Sequence, residues 1–316
     1  MRLKKVFSLG ISVILLICTL VAVEFAIGWH QVIKQFGVMT LQDFLYLMCL
    51  MLFTASVRTA RVMVSLRIYR NIPALFHVCN THNLFNNLLP MRTGELAFPI
   101  LMHRHFRESI ARSAVHLLQY RLLDLLALMC TAAIILANNY SYTLVALIIL
   151  IALTLLITAP LIRQFAIYML SILERRFNNI SKITHAFRQL PLQGRVFWCG
   201  VLLTFLQWAG KLAAFMYLVE ILSPLPPDII ILAIVGADLS SVLPIHGIAG
   251  SGTFEAGFLL ASYHSEVETA TLLEAGVQLH IFLLVSAIAM TCLSKAIMFI
   301  HALVARRQKH HNALNL

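Results

Sequence analysis

The sequence predicts an all-α, polytopic transmembrane helical bundle, with about six full spans and two re-entrant helical hairpins entering from opposite faces. Three observations predict it. Of 316 residues, 60% are hydrophobic and only 12% are charged, whereas a soluble domain carries about 25% charged residues. The apolar residues collect into runs of bilayer length, and the basic residues collect on one side of those runs.

A soluble chain this apolar could not cover its own surface, so the surplus must face lipid, where a helix satisfies its own backbone hydrogen bonds. Six segments reach roughly 20 apolar residues, the length that spans a bilayer. They are 6–25, 44–64, 114–137, 144–162, 196–222 and 276–303. Two further stretches, 73–99 and 229–262, are apolar but interrupted by proline, glycine and polar residues.

The net charge of +11 could suggest nucleic-acid binding, but its placement argues for a topology signal. Of 24 Lys and Arg, 20 fall on one side, in segments 2–5, 58–70, 92–112, 163–195 and 306–309. Lys34 alone falls on the other side, and Arg121, Lys211 and Lys295 lie inside helices. Loops rich in Lys and Arg stay in the cytoplasm, so both termini are predicted to be cytoplasmic. The opposite loops hold Glu24, Asp43, Asp228, Glu266, Glu268 and Glu274. The N-terminus has the basic-then-apolar look of a signal peptide, but no small-x-small cleavage site follows it, so the first helix is expected to be retained.

Charge also fixes how the interrupted stretches run. The first lies between Arg67 and Arg70 on one side and Arg104 and Arg107 on the other, so it leaves the membrane where it entered, from the cytoplasm. The second lies between Asp228 and Glu266 and enters and leaves from outside, as a hairpin or as a tight pair of spans. Broken backbone at membrane depth requires protein or a water-filled cavity around it. Two hairpins from opposite faces are the arrangement of inverted repeats whose broken helices meet at a transport site. Segment 163–195 is predicted to be a cytoplasmic amphipathic stretch on the anionic leaflet. The whole of 1–316 is expected to be one integral membrane domain.

Three constellations carry polar chemistry. Asn80, Asn83 and Asn87 share one helical face just before Pro90, Arg92, Gly94 and Glu95, where the helix breaks. Asp238 precedes the run Leu243 to Glu255, in which Gly250 and Gly252 are expected at positive φ. Glu255 follows as a carboxylate at membrane depth, a functional candidate by default. Arg121 and Asp124, three apart in the third span, can pair within one helix or meet substrate. Gln207 and Lys211 are one turn apart and can face the same cavity. Six isolated cysteines and thirteen histidines make no zinc-type spacing, and no phosphate-binding loop of the Walker kind occurs. No metal and no cofactor is expected.

At these residues the chain resembles a known family. NNLLPMRTGELAFPILMHR is similar to the Pro-x-Arg-x-Gly-Glu element of the lysylphosphatidylglycerol synthase transmembrane (flippase-like) family. QYRLLDLLAL resembles its Arg-x-x-Asp element, and LPIHGIAGSGTFE its glycine-rich element ending in Glu. Ile248 and Ala249 stand where the family commonly has Pro and Gly, and Phe98 where an Arg often follows. No counterpart of the family's soluble aminoacyl-transfer domain is seen, so the resemblance implies translocation without lipid synthesis.

Residues and resemblance together predict movement of an anionic or aminoacylated phospholipid, or a polyprenyl-phosphate-linked lipid, between leaflets of a bacterial cytoplasmic membrane. The expected site comprises Asn87, Arg92, Gly94, Glu95, Arg121, Asp124, Lys211, Asp238, Gly250, Gly252 and Glu255. Arg92, Arg121 and Lys211 are expected to hold phosphate; Glu95, Asp238 and Glu255 an amine or coupling protons. Expected partners are membrane lipids and no nucleic acid, with a homo-oligomer left open. The alternative is a non-transporting scaffold or regulator of an envelope-lipid enzyme. An intramembrane enzyme is disfavoured because no nucleophile–base pair is evident.

Overall fold

A computed structural model describes residues 2–139, 142–174, 180–240, 247–263 and 265–314. Every regular element among them is helical, as the composition predicts. The order is α1 (Arg2–Ala26), α2 (Trp29–Phe36), α3 (Leu41–Leu66), α4 (Ile72–Leu88), a 3₁₀ turn (Pro90–Leu96), α5 (Ala97–Phe106), α6 (Ile110–Asn139), α7 (Tyr142–Glu174), α8 (Ser181–Arg188), α9 (Gly194–Leu222), α10 (Pro227–Ser240), a short 3₁₀ turn (Ile248–Gly250), α11 (Thr253–Ala261) and α12 (Thr269–Leu314). Among the described residues five helices are long and apolar enough to cross a membrane, or six when the bent pair of α1 and α2 counts as one span.

Both interrupted stretches are hairpins of half-helices. At 1.5 Å per residue, α4 and α5 are about 25 and 15 Å long, and α10 and α11 about 21 and 13 Å, all short of a hydrocarbon core of about 30 Å. In the second stretch Gly236 and Gly257 meet backbone to backbone, so α10 and α11 lie side by side. The breaks have local causes. Leu89 is extended (φ −81°, ψ 135°) because a residue before proline is pushed out of the α region, and α4 stops there. Between α10 and α11, Ala249, Gly250 and Gly252 take φ values of 58°, 82° and 81°, which no right-handed helix can hold. Leu243, Pro244, Ile245 and His246 lie outside the described residues.

The contacts set the direction of each hairpin. Along α3 and α9, Tyr217 Oη donates to Asp43 at 2.7 Å, Gly210 lies against Phe53 and Thr54, and Arg61 Nη1 donates to Thr204 at 3.0 Å. Rising numbers in one helix meet falling numbers in the other, so α3 and α9 are antiparallel. Hairpin 1 (α4–α5) follows the end of α3 and hairpin 2 (α10–α11) the end of α9, so the two enter from opposite ends of the bundle. Their 3₁₀ tips touch, and α1 packs across both.

The two halves repeat. In each, a long helix leads into a hairpin that leads into another long helix: α3 to α6, then α9 to α12. The first helix of each hairpin packs on the last helix of the other half, α4 on α12 and α10 on α6. Each hairpin also has its own apolar core, around Leu75, Phe98 and Met102 in the first half and Phe215, Phe258 and Leu279 in the second. Polar residues hold matching positions. Arg58 is the eighteenth residue of α3 and Lys211 the eighteenth of α9; Asn83 and Asp238 are each the twelfth of α4 and α10; Arg121 and His280 are each the twelfth of α6 and α12.

Three sequence expectations change. The segment from 163 is not one surface helix: α7 continues to Glu174 through Phe165 and Leu173, and a separate α8 packs Ala186 near Val115 and Leu190. Residues 175–179, with Phe177, lie outside the described residues. Arg163 does not end the helix because its Nη1 donates to the Leu190 carbonyl at 3.0 Å, which gives the charge a partner in place. Arg58 and Arg61, counted among loop cations, lie inside α3 and face the bundle interior, and Glu274, counted among loop acids, is buried in α12.

Candidate functional site

Between the two apolar cores lies a polar cavity of about 270 Å³. Both halves supply it in the same register: Thr54, Arg58 and Val62 from α3, and Gln207, Lys211 and Phe215 from α9. These are i, i+4, i+8 sets, so each helix turns one stripe inward. Hairpin 1 adds His82, Asn83, Asn86 and Asn87; hairpin 2 adds Asp238, Ala249 and Gly250; α6 adds Tyr120, Arg121 and Asp124; α12 adds His280. The cavity wall also includes Leu122, which is 60% exposed on the outer face of α6. At that helix the polar interior and the lipid-facing surface are one residue apart.

Ion pairs tie the hairpins to the long helices. Glu95, within the hairpin 1 tip, accepts Arg121 Nη2 at 2.6 Å and stands 3.6 Å from His82 Nε2. Asn86, with its amide turned so that both groups are satisfied, joins Glu95 and Arg121 at 3.0 and 3.1 Å. Asp124 takes Arg61 Nη1 at 2.6 Å and Trp208 Nε1 at 3.2 Å. Arg121 is farther from it, at 3.7 Å, so the predicted pair within α6 is secondary to bonds between helices. Asp238 receives Lys211 Nζ on both oxygens, at 2.7 and 2.8 Å, and Lys211 lies over the Trp208 ring at 4.6 Å. Glu255 accepts the Gly252 N–H at 2.8 Å and lies 2.6 Å from His280 Nδ1. Each such partner offsets the cost, several kcal/mol per ion, of taking a charge out of water.

Counting partners isolates one cation. Arg61, Arg121 and Lys211 each face a carboxylate. Arg58 lines the same cavity, with no hydrogen bond or ion pair among the described residues. The twin of Lys211 in the repeat is thus a guanidinium with donors to spare.

Of the predicted site residues, Asn87, Arg121, Asp124, Lys211, Asp238 and Gly250 line the cavity. Glu95 and Glu255 sit behind its wall, as partners of Arg121 and His280. Gly94 is wedged against the Phe85 carbonyl and the Asn86 amide, with no room for a Cβ, and Gly252 lies against Thr19 and Leu15 of α1. Both position the tips and do not face the cavity. The side chain of Arg92 lies outside the described residues. Sequence reasoning missed Arg58, Arg61, His82 and His280. For the arginines the available signal was their flanks: Val57, Val62, Met63 and Val64 place them in apolar sequence. His280 had no signal at all.

No curated protein and no solved structure matches this chain. Residues 6–290 match the family model of the lysylphosphatidylglycerol synthase TM region, and with its apolar helices the chain belongs to that family, as a multi-pass membrane protein related to lipid handling.

Proposed function

We propose that this protein moves a lipid with a phosphate-bearing headgroup, an anionic or aminoacylated phospholipid or a polyprenyl-phosphate lipid, between leaflets of a bacterial cytoplasmic membrane, with both termini in the cytoplasm. One observation carries this reading: a guanidinium, Arg58, bonded to no carboxylate among the described residues, in a cavity with several charged groups whose wall includes the exposed Leu122. A headgroup must not cross bare hydrocarbon. In this scheme it slides past α6 into the cavity while its tails stay against the exposed Leu118 and Leu122. Arg58 takes the phosphate first, since arginine presents a donor fork that fits it. Arg121 and Lys211 exchange their carboxylates for phosphate oxygens, and the carboxylates so released hold the amine of an aminoacyl group. No bond is made or broken, so no catalytic residue is needed.

The test is reconstitution into liposomes and a leaflet-accessibility assay with labelled phosphatidylglycerol, its lysyl ester and a polyprenyl phosphate. Wild type should move at least one of them. Arg58→Gln should slow it at least about tenfold, because a charge-assisted hydrogen bond contributes about 1.5–3 kcal/mol, and Arg58→Lys should restore part of the rate. Equal rates for wild type and Arg58→Gln would remove the basis of the reading.

A further inference from the structure

We propose that Glu255 and His280 form a proton-binding pair, and that loss of one proton from it frees the tip of hairpin 2 and thereby couples lipid movement to proton movement. The coupling rests on the transport reading above; the proton site does not.

The geometry counts the protons. His280 Nε2 is 2.7 Å from the carbonyl oxygen of Ala249, and Nδ1 is 2.6 Å from Glu255 Oε1. A carbonyl can only accept, so Nε2 carries a hydrogen. A second hydrogen must lie between Nδ1 and Oε1, on one atom or the other. The pair is then an imidazolium with a carboxylate, or a neutral imidazole with a carboxylic acid. Both forms hold the same protons and no net charge. If one proton passes to cavity water, a carboxylate and a neutral imidazole remain. The imidazole then has a single N–H, which can serve Ala249 or Glu255 but not both. One of the two bonds is lost, and each holds the tip: one through the Ala249 carbonyl, the other through the Glu255 carboxylate that caps α11 at Gly252.

The surroundings allow the proton to matter. Both side chains are nearly buried, at 6% and 7% exposure, and Phe254 stacks on the imidazole at 4.6 Å. His280, Ala249 and Gly250 line the cavity, so a freed tip changes its shape. The charged or titratable groups that share the cavity are Arg58 and Arg61 from α3, Cys79 and His82 from α4, Tyr120, Arg121 and Asp124 from α6, and Lys211 with Asp238 from α9 and α10; α1 meets the tip through Leu15 and Thr19. The carboxylates that line the cavity are engaged elsewhere, Asp238 on both oxygens by Lys211 and Asp124 by Arg61, so Glu255 is the acid left to His280. The repeat supplies the contrast. Arg121 holds the position of His280 in the first half and pairs with Glu95, but a guanidinium does not give up its proton. The guanidinium of hairpin 1's fastening does not respond to protons; hairpin 2 has a fastening that protons control.

The experiment follows the tip itself. Ser251→Cys at the hairpin 2 tip and Thr93→Cys at the hairpin 1 tip are each placed in a chain lacking its six native cysteines and labelled with a small maleimide at a series of pH values. The ratio of the two rates removes the pH dependence of the thiol chemistry. It should rise several-fold with pH in the otherwise native chain. It should stay flat in His280→Arg, which keeps its donors at every pH, and in Glu255→Gln, whose carboxamide holds a neutral imidazole with nothing to lose. A flat native ratio overturns the proton site whether or not any lipid moves. A rising native ratio with no lipid movement in any vesicle supports the proton site and overturns the transport reading. A rising ratio with lipid movement indifferent to a pH gradient overturns the coupling; movement that follows the gradient in the native chain and ignores it in His280→Arg supports it.

Discussion

Hairpins 1 and 2 solve one problem in two ways. Each brings broken backbone to the centre of the bundle and fastens a glutamate near its tip to the twelfth residue of a long helix. Hairpin 1 has a seven-residue 3₁₀ tip and an arginine fastening. Hairpin 2 bends, among its described residues, through three at positive φ and uses a histidine. Its two limbs touch backbone to backbone at Gly236 and Gly257, whereas in hairpin 1 the single close approach is Gly94 on the last turn of α4. The difference teaches that a repeated architecture can keep one half rigid and give the other a tip that chemistry can release.

The largest expected effect is at the close approaches. A Cβ at Gly236 would overlap the Gly257 carbonyl and the Ala261 methyl, and a Cβ at Gly94 would overlap the Phe85 carbonyl. Backbone cannot step aside as a side-chain end can. Gly236→Ala and Gly94→Ala should each destabilise by about 3 kcal/mol, the upper part of the range for overpacking, read as loss of the monodisperse peak after heating in detergent. Tolerance at Gly236 with loss at Gly94 would show that the limbs of hairpin 2 are not in contact.

A smaller effect separates the fastenings. Arg121→Gln leaves Glu95 facing only His82 and Asn86, at about 2–3 kcal/mol; this is the cost of breaking a buried pair reduced for the partial exposure of Arg121. Adding Glu95→Gln should recover most of that loss. Glu255→Gln can still accept from Gly252 and reach His280, so it should cost only about 1 kcal/mol, the scale of one hydrogen bond. Thermal melts of the three variants check the order. Equal losses for Arg121→Gln and Glu255→Gln would erase the distinction between a fixed and a releasable hairpin.

The smallest effects belong to the tip of hairpin 2. Gly252→Ala meets both a positive φ and Thr19 Oγ1 at 3.0 Å, while Gly250→Ala meets only the edge of His280 at 3.5 Å. Each carries about 1–2 kcal/mol of left-handed strain, so position 252 should lose more. Ala249 already bears such strain at φ 58°, and Ala249→Gly should raise stability by up to about 1 kcal/mol. A melt in which Ala249→Gly is the least stable of the three would show that the tip does not bend as described.

The sequence by itself determined the helical class, the presence of long apolar helices and the points where the two interrupted stretches break. Those follow from quantities local to the chain: the length of an apolar run, the residue before Pro90, and glycines clustered ahead of Glu255. Polarity in apolar sequence also marked Glu95, Arg121, Lys211, Asp238 and Glu255. What only the tertiary structure decided is who meets whom. Helical period tells which residues share a face, and the antiparallel crossing of α3 and α9 decides what that face looks onto. That crossing turned Arg58 and Arg61 from loop cations into cavity walls, and left Arg58 without a carboxylate among the described residues. It divided Arg121 from Asp124, which look like a pair in sequence, and gave Glu95 to one and Arg61 to the other. Gly236 and Gly257 are ordinary small residues until α10 and α11 lie side by side, and His280, 25 residues from Glu255, becomes its partner only when α12 packs on hairpin 2. Such pairings lie in the distance between helices, and no window along the chain contains it.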